Sequence, residues 1–204
     1  GVLFASSNGS LEEELRAIET FRARMIDGLL IYPVLHGQMQ HLKRLRERNF
    51  PVVMLVGIEG SGIDAVGIDE YAGAYDATRH LIEQGHRRIG LIAGPHGFRS
   101  AHERRLGFEE AMRDAGISLP RSMIAEGNYT FESGLIAAER LLDVVPRPTA
   151  IFSSNDEMAA GVIHAACQRG LVVPRDLSVI GFDDTPIAAH MWPPLTTVRW
   201  PIAS

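Results

Sequence analysis

The sequence predicts an α/β fold of the doubly wound class, in which helices cover both faces of parallel sheets. Two patterns predict it. Short apolar runs alternate with single segments of helical spacing along the 204 residues. The runs are apolar throughout, which is typical of strands buried on both faces of a parallel sheet. A break in the alternation at "AVGID" (65–69) predicts two Rossmann-like subdomains, an incomplete first one over 1–68 plus 199–204 and a second over 69–198.

The first half of the chain predicts three strands and two helices. Ser10 and Glu13 form a capping box, a motif that starts helices by bonding their first free backbone N–H groups. A second helix is predicted by three apolar residues at helical spacing, Met39, Leu42 and Leu45. Strands are predicted at residues 2–6, 28–32 and 51–57.

The second half repeats the alternation. Helix caps are predicted at Asp69 and Asp156, and Ser100 with Glu103 is a second capping box. The predicted helices end at Gly85, Gly116, residue 143 and Gly170. The predicted strands lie at residues 88–94, 123–127, 149–154, 177–182 and 195–199.

Polar residues follow three of these later strands, where each strand ends. "RIGLIAG" leads to Arg104, "TAIFSS" leads to Asn155, and "SVIGF" leads to Asp183. Because ligands of open α/β sheets bind beyond the carboxyl ends of the strands, we expect these side chains to share one binding site. A guanidinium, an amide and a carboxylate suit a ligand with adjacent hydroxyl groups. Tyr129, just after another strand, could add an aromatic face.

Each of these residues also has a purely structural interpretation. Asp156 is most simply a helix cap, and Asp184 a turn residue that holds the loop before Pro186. Ser100 is a capping residue first and a ligand contact second. Taken singly, the residues at 104, 155 and 183 are more often structural than functional, and only their convergence favours a site. The single cysteine, Cys167, is expected to be a buried thiol in a reducing compartment.

Composition and motifs exclude several classes of function. The net charge is −5, Lys43 is the only lysine, and there is no basic stripe, so we do not expect this chain to bind nucleic acid by itself. There is no membrane span, no signal peptide, no G-x-S-x-G nucleophile motif and no phosphate-binding P-loop. "GSGIDA" (60–65) matches a dinucleotide motif loosely but does not open a predicted helix. We therefore expect neither catalysis nor a cofactor nor a metal.

Three longer stretches carry a family resemblance. They are "DEYAGAYDATRHLIEQGHRRIGLIAGP", "SAHERRLGFEEAMRDAGI" and "AIFSSNDEMAAGVIHAACQRGLVVPRDLSVIGFDDTPIAAHMWPPLTTVRWP". Together they resemble the lactose-repressor (LacI) family of bacterial transcription regulators. The resemblance implies a periplasmic-binding-protein-like fold of type I, with two subdomains that close on a small effector. It also implies a cytoplasmic homodimer that binds DNA through an N-terminal helix-turn-helix. We expect that helix-turn-helix, with the family's first strand and helix, to lie outside these 204 residues.

The resemblance assigns roles to residues by motif. Arg104 matches the arginine that grips the effector, Asn155 a polar contact, and Asp183 the carboxylate that accepts from ligand hydroxyls or ring nitrogens. Ser100 and Tyr129 match secondary positions of the ligand site. The effector is expected to be a sugar, a sugar phosphate or a purine.

Met191 and Trp192 lie on a loop, where apolar side chains are either tucked under the domain or covered by a partner, and the resemblance favours a dimer contact. The alternative functions are a periplasmic solute-binding protein of a sugar transporter and, third, an enzyme of nucleoside or sugar chemistry. Glu70 stands where the family more often has asparagine, which is a departure from the pattern.

Overall fold

The computed structural model describes residues 1–34, 37, 39–58 and 60–200. It divides the chain into two compact units, residues 1–68 and 69–204, with the boundary inside the "AVGID" segment. Every strand pairing within the described ranges is parallel, as the apolar runs predicted. The fold class is therefore α/β with parallel sheets.

The first unit contains one three-stranded sheet and two helices. The strands are β1 (Leu29–Ile31), β2 (Val52–Met54) and β3 (Asp64–Ala65), in the order β1-β2-β3. The helices are α1 (Leu11–Ala23) and α2 (Gln40–Glu47). Buried apolar residues of the helices and strands pack into one core, which includes Ile18 of α1, Leu42 of α2 and Met54 of β2.

The strand predicted at residues 2–6 is wrong. These residues form no strand, and Val2 and Phe4 are 76% and 91% exposed. An apolar run becomes a strand only when a neighbouring strand bonds its backbone groups, and no segment in the described part of the chain pairs with this one. Strand propensity alone therefore does not decide the structure here.

The second unit contains a five-stranded sheet in the order β5-β4-β6-β7-β8. Its strands are β4 (Ile89–Ala93), β5 (Ile124–Glu126), β6 (Ala150–Ser153), β7 (Ser178–Asp183) and β8 (Thr196–Arg199). Its helices are α3 (Glu70–Glu83), α4 (Arg99–Asp114), α5 (Phe131–Leu142), α6 (Asp156–Gln168) and α7 (Pro186–His190), with a 3₁₀ turn at Arg121–Met123.

The sheet order determines where the polar strand ends meet. Strands β4, β6 and β7 are direct neighbours, as the sequence predicted, so their carboxyl ends lie side by side. Arg199, which the sequence prediction assigned to the first subdomain, pairs with Asp183 in the sheet of the second unit. Residues 201–204 of that prediction lie outside the described residues.

Helices of the second unit pack closely in pairs. A Cβ at Gly134 would lie 2.3 Å from the carbonyl oxygen of Met158, and one at Gly161 would lie 2.4 Å from that of Phe131. Such distances are below van der Waals contact, so α5 and α6 approach this closely only because both positions are glycine. None of the helices in the described ranges is long and apolar enough to cross a membrane.

Two of the predicted helix starts are confirmed. The backbone N–H of Glu13 donates to Ser10 Oγ (3.4 Å), and that of Ala72 donates to Asp69 Oδ1 (2.8 Å). Both contacts occupy orphan donors of a first helical turn.

The other two predicted caps are wrong. Helix α4 begins after Phe98, so Ser100 lies inside its first turn and its hydroxyl meets Tyr129 instead. Helix α6 is capped by Asn155, whose backbone is extended and whose Oδ1 accepts from the Met158 N–H (3.0 Å). Asp156 is thereby the first helical residue, and its carboxylate is available for another role.

Cys167 also differs from its prediction. Its side chain is exposed rather than buried, because Ala165 and Ala166 occupy the core-facing positions of this part of α6.

Candidate functional site

The five predicted site residues lie together at the carboxyl ends of β4, β5, β6 and β7. Each is linked to at least one other through hydrogen bonds of side chains or of an adjoining backbone carbonyl. They all belong to the second unit. The structure therefore brings together the set that the sequence proposed, Ser100, Arg104, Tyr129, Asn155 and Asp183.

Arg104 is the centre of this network and is only 3% exposed. Its Nε donates to Glu70 Oε2 (2.6 Å), its Nη2 donates to Asp183 Oδ1 (3.1 Å), and its Nη1 donates to the Ser154 carbonyl. Its Cζ lies 3.8 Å from the ring centroid of Phe182, a cation–π contact. Burial alone would lower the pKa of Arg104, but the hydrogen bond and charge of Glu70, with the charge of Asp183, raise that pKa above its ordinary value. The guanidinium therefore stays protonated, and it links the start of α3, the end of β6 and the end of β7.

Asp183, the last residue of β7, has a strained backbone and a carboxyl group whose charged form is disfavoured by burial. Its φ of 109° lies in the region that L residues rarely adopt, and strain of this kind is characteristic of binding and catalytic sites. Burial raises the pKa of its carboxyl to about 6, with contributions from Asp156 and Glu70, although Arg104 opposes the shift. Its side chain remains 26% exposed. A partly exposed carboxylate on a strained turn can accept hydrogen bonds from a ligand.

Asn155 and Tyr129 connect the ends of β6 and β5. The amide Nδ2 of Asn155 donates to the Tyr129 carbonyl (3.0 Å), and the Tyr129 hydroxyl lies 3.2 Å from Ser100 Oγ. The Tyr129 ring is packed edge-on to Phe98, with centroids 6.2 Å apart. It also needs Gly94, because a Cβ there would lie 2.4 Å from the ring. The aromatic face predicted for Tyr129 is thus fixed in position by its neighbours.

Asp156 has a role that the sequence did not reveal. Its side chain is fully buried, and Oδ2 accepts from the N–H (2.7 Å) and hydroxyl (2.9 Å) of Thr185, while Oδ1 accepts from the Thr197 hydroxyl (2.5 Å). These bonds join the turn after β7 to β8. Asp184, predicted as a turn residue, accepts from Arg199 Nε. The carboxylates of Asp156 and Asp184 therefore hold the segment that presents Asp183.

Glu70 is the site residue that sequence reasoning missed. It is the first residue of α3 and is 8% exposed, and its only sequence signal was the departure from the commoner asparagine. Its partner Arg104 is 34 residues away, so no local pattern links them. Across the ranges that the structure describes, no group of three histidine, cysteine or acidic residues is placed to hold a metal ion.

The loop predicted to contact a partner is at the surface. Trp192 is 90% exposed and Met191 is half-buried. Trp192 is therefore not tucked under the domain, which was one of the two interpretations of this apolar pair.

Comparison with known proteins identifies related domains. The model of the family described as "Periplasmic binding protein-like domain" matches residues 78–204. Catabolite control protein A of Priestia megaterium is 36% identical over 205 residues, which are 98% of this chain and 61% of that protein. The HTH-type transcriptional repressor CytR of Escherichia coli (strain K12) is 38% identical over 193 residues, 93% of this chain and 56% of that protein. The chain thus spans little more than half the length of these curated relatives.

Solved structures give the same result. A regulatory protein of the LacI family from Chloroflexus aggregans superposes with a TM-score of 0.84 at 35% identity, covering 98% of this chain and 70% of that one. The transcriptional regulator CelR in complex with cellobiose superposes with a TM-score of 0.84 at 33% identity, covering 94% and 59%. The predicted fold class, α/β of the periplasmic-binding-protein-like type, is confirmed, and the named relatives are transcription regulators rather than enzymes or transport proteins.

Proposed function

Because the chain belongs to the LacI family of transcription regulators, we propose that it is the effector-sensing part of a bacterial regulator. A small molecule bound at the network around Arg104 changes the affinity of the whole regulator for its operator DNA. The DNA contact belongs to a helix-turn-helix segment, of the kind that the name of the E. coli relative states. A regulator of this kind acts in the cytoplasm and binds its effector without turnover.

The arrangement of the five site residues is the observation that supports this proposal. Asp183 Oδ2 makes no hydrogen bond to any residue that the structure describes, while its Oδ1 is held by Arg104. One carboxylate oxygen is therefore fixed and the other is available to a ligand. A carboxylate with one fixed oxygen and one available oxygen is a preorganised acceptor for a ligand hydroxyl or ring N–H group.

A carbohydrate is the ligand class that we propose. A carboxylate beside an aromatic ring can pair with hydroxyl groups and cover an apolar face, and Asp183 and Tyr129 supply both. The solved relative that holds cellobiose supports this class. A purine is the second candidate, since ring N–H groups also donate to a carboxylate.

A thermal-shift screen of the full-length protein against sugars and nucleosides tests the proposal. A ligand that binds the native state raises the melting temperature by mass action, so a hit identifies the ligand class. A hit should also change the affinity for operator DNA, measured by fluorescence anisotropy. If no compound of either class stabilises the protein, the proposed function is wrong.

Substitutions of the two charged site residues test the location of the ligand. We expect Asp183→Ala and Arg104→Ala each to weaken binding of the hit by more than about 1 kcal/mol, because each leaves a charged hydrogen-bonding partner unsatisfied. Isothermal titration calorimetry measures the affinities, and Asp183→Asn serves as the isosteric form for a variant that loses stability. Wild-type affinity in all three variants would place the ligand elsewhere.

A further inference from the structure

We propose that Glu70 makes the effector site select against anionic ligands, so that it takes an uncharged hydrogen-bond donor and rejects the phosphate ester of that compound. This inference rests on the proposed function and narrows its ligand class. It assigns a specificity role to a residue that contacts Arg104 from the start of α3.

Arg104 is already engaged by acceptors within the protein. Arginine binds phosphate by offering paired N–H donors, and a free guanidinium in a site would favour an anion. Here each of its three nitrogens donates to an internal acceptor, and Phe182 covers one face of the group. The side chain is 4% exposed. Arg104 therefore orders the site and has little capacity to bind a phosphate.

The charge around Arg104 is unbalanced. Glu70 and Asp183 both pair with this one guanidinium, and the carboxylate of Asp156 lies near enough to raise the pKa of Asp183. Side-chain exposures of 10% for Glu70 and 26% for Asp183 keep solvent screening weak. Two carboxylates thus share one cation, and a ligand phosphate would add a further negative charge to this excess.

Other groups near the site do not reverse this balance. Arg99, in the first turn of α4, donates to Glu103 (2.6 Å), and His96 is bonded to Glu126 (2.6 Å). Each of these cationic or titratable groups therefore already has an acidic neighbour. A phosphate would have to compete with a carboxylate for either one.

Asp183 offers an acceptor that suits an uncharged ligand. Its Oδ2 makes no hydrogen bond to any residue that the structure describes, and its side chain is 26% exposed. A carboxylate oxygen accepts from the hydroxyl groups of an uncharged polyol but has no hydrogen to donate to a phosphate.

The test compares matched pairs of compounds on the wild-type full-length protein. The pairs are D-ribose, D-glucose and adenosine, each with its own phosphate ester, together with the neutral and phosphorylated forms of any hit. Calorimetry should give a dissociation constant at least about tenfold weaker for the phosphate ester than for its uncharged parent, since one added charge faces the excess of carboxylates. A phosphate ester that binds as tightly as its parent, or more tightly, would overturn the inference and leave the sensing function intact.

A charge-neutral variant then assigns the selectivity to Glu70. Glu70→Gln should reduce the phosphate-to-parent ratio of dissociation constants by about tenfold, because it removes one of the two negative charges that pair with Arg104. Glu83→Gln is the matched control: it removes the same charge from the other end of α3, where the side chain is 63% exposed. An unchanged ratio in a folded Glu70→Gln variant would overturn the assignment. If that variant does not fold, the wild-type comparison decides the inference.

If none of the compounds binds, the proposed function fails and the inference fails with it. Binding of the phosphate esters alone overturns the inference only. The two claims are therefore distinguished by which members of each pair produce heat on titration.

Discussion

At the scale of single residues, Asp183 combines a strained backbone with a carboxylate oxygen that has no hydrogen-bond partner among the described residues. Asp183 sits at a strained φ, and burial disfavours its charge more than Arg104 favours it. Natural proteins retain such unfavourable groups where a ligand will use them. The carboxylate of Asp183 is therefore expected to reduce stability when ionised and to contribute to affinity when the effector binds.

The pH dependence of stability tests this conclusion. Because the folded pKa of Asp183 is about 6, above its usual 3.8, the native state binds more protons than the unfolded state between these values. The stability contribution of Asp183 therefore falls as the pH rises from about 4 to 6. Asp183→Asn cannot ionise, so we expect it to exceed the wild type in unfolding free energy by roughly 1–2 kcal/mol at pH 7, and by much less at pH 4.

Urea denaturation of both proteins across this pH range measures the difference, in which the titrating groups that do not interact with Asp183 cancel. A difference that stays constant with pH would show that Asp183 ionises with its ordinary pKa.

At the scale of the elements, a histidine joins the amino ends of the strands of the same sheet, opposite the candidate site. His86 precedes β4, its Nδ1 lies 2.9 Å from Thr149 Oγ1, and its Nε2 lies 3.0 Å from Ser178 Oγ. One ring thus joins the amino ends of β4, β6 and β7, the three strands whose carboxyl ends form the site. Burial lowers the pKa of His86, so the neutral ring is the form that the fold favours.

This contact predicts a second, opposite pH effect. Below a pH of about 6.5 the unfolded state binds the proton of His86 more readily than the folded state, so the contribution of this residue is present above that pH and lost as the pH falls. His86→Gln should lower the unfolding free energy by about 1 kcal/mol at pH 7.5, with a smaller difference at pH 5.

His80→Gln, on the exposed side of α3, is the matched histidine control. Chemical denaturation at the two pH values measures the change. An effect of His86→Gln that is equal at both would contradict the proposed protonation.

At the scale of the whole molecule, we propose that the protein forms a homodimer through the loop after α7. Trp192 is 90% exposed, and a large exposed aromatic residue beside a second apolar one is typical of an interface. Buried tryptophans are frequent among the residues that dominate binding energy.

Trp192→Asp should therefore weaken self-association by at least about tenfold, since a tryptophan at the centre of an interface is commonly worth about 2 kcal/mol or more. Light scattering across a concentration series measures the mass. Val145→Asp is the matched control, because Val145 is 93% exposed and belongs to a different loop, the one after α5. An unchanged mass for Trp192→Asp would refute the proposed contact.

Local patterns in the sequence determined the fold class, the parallel sheets and three members of the site. Apolar runs and helix caps are short-range signals that located the strand ends. Because ligands bind at the carboxyl ends of the strands, those positions predicted Arg104, Asn155 and Asp183 as site residues. Where a local signal had two uses, the sequence could not choose between them. Asn155 rather than Asp156 caps α6, and Ser100 meets Tyr129 rather than capping α4.

Only the tertiary structure decided which distant groups meet and which groups lose their water. Glu70 pairs with Arg104 across 34 residues, and Asp156 binds Thr197 across 41. Residues 2–6 have the composition of a strand but no neighbouring strand among the described residues. The reason is common to all three: burial and long-range pairing are properties of the packed chain, whereas propensity and periodicity are properties of a short segment.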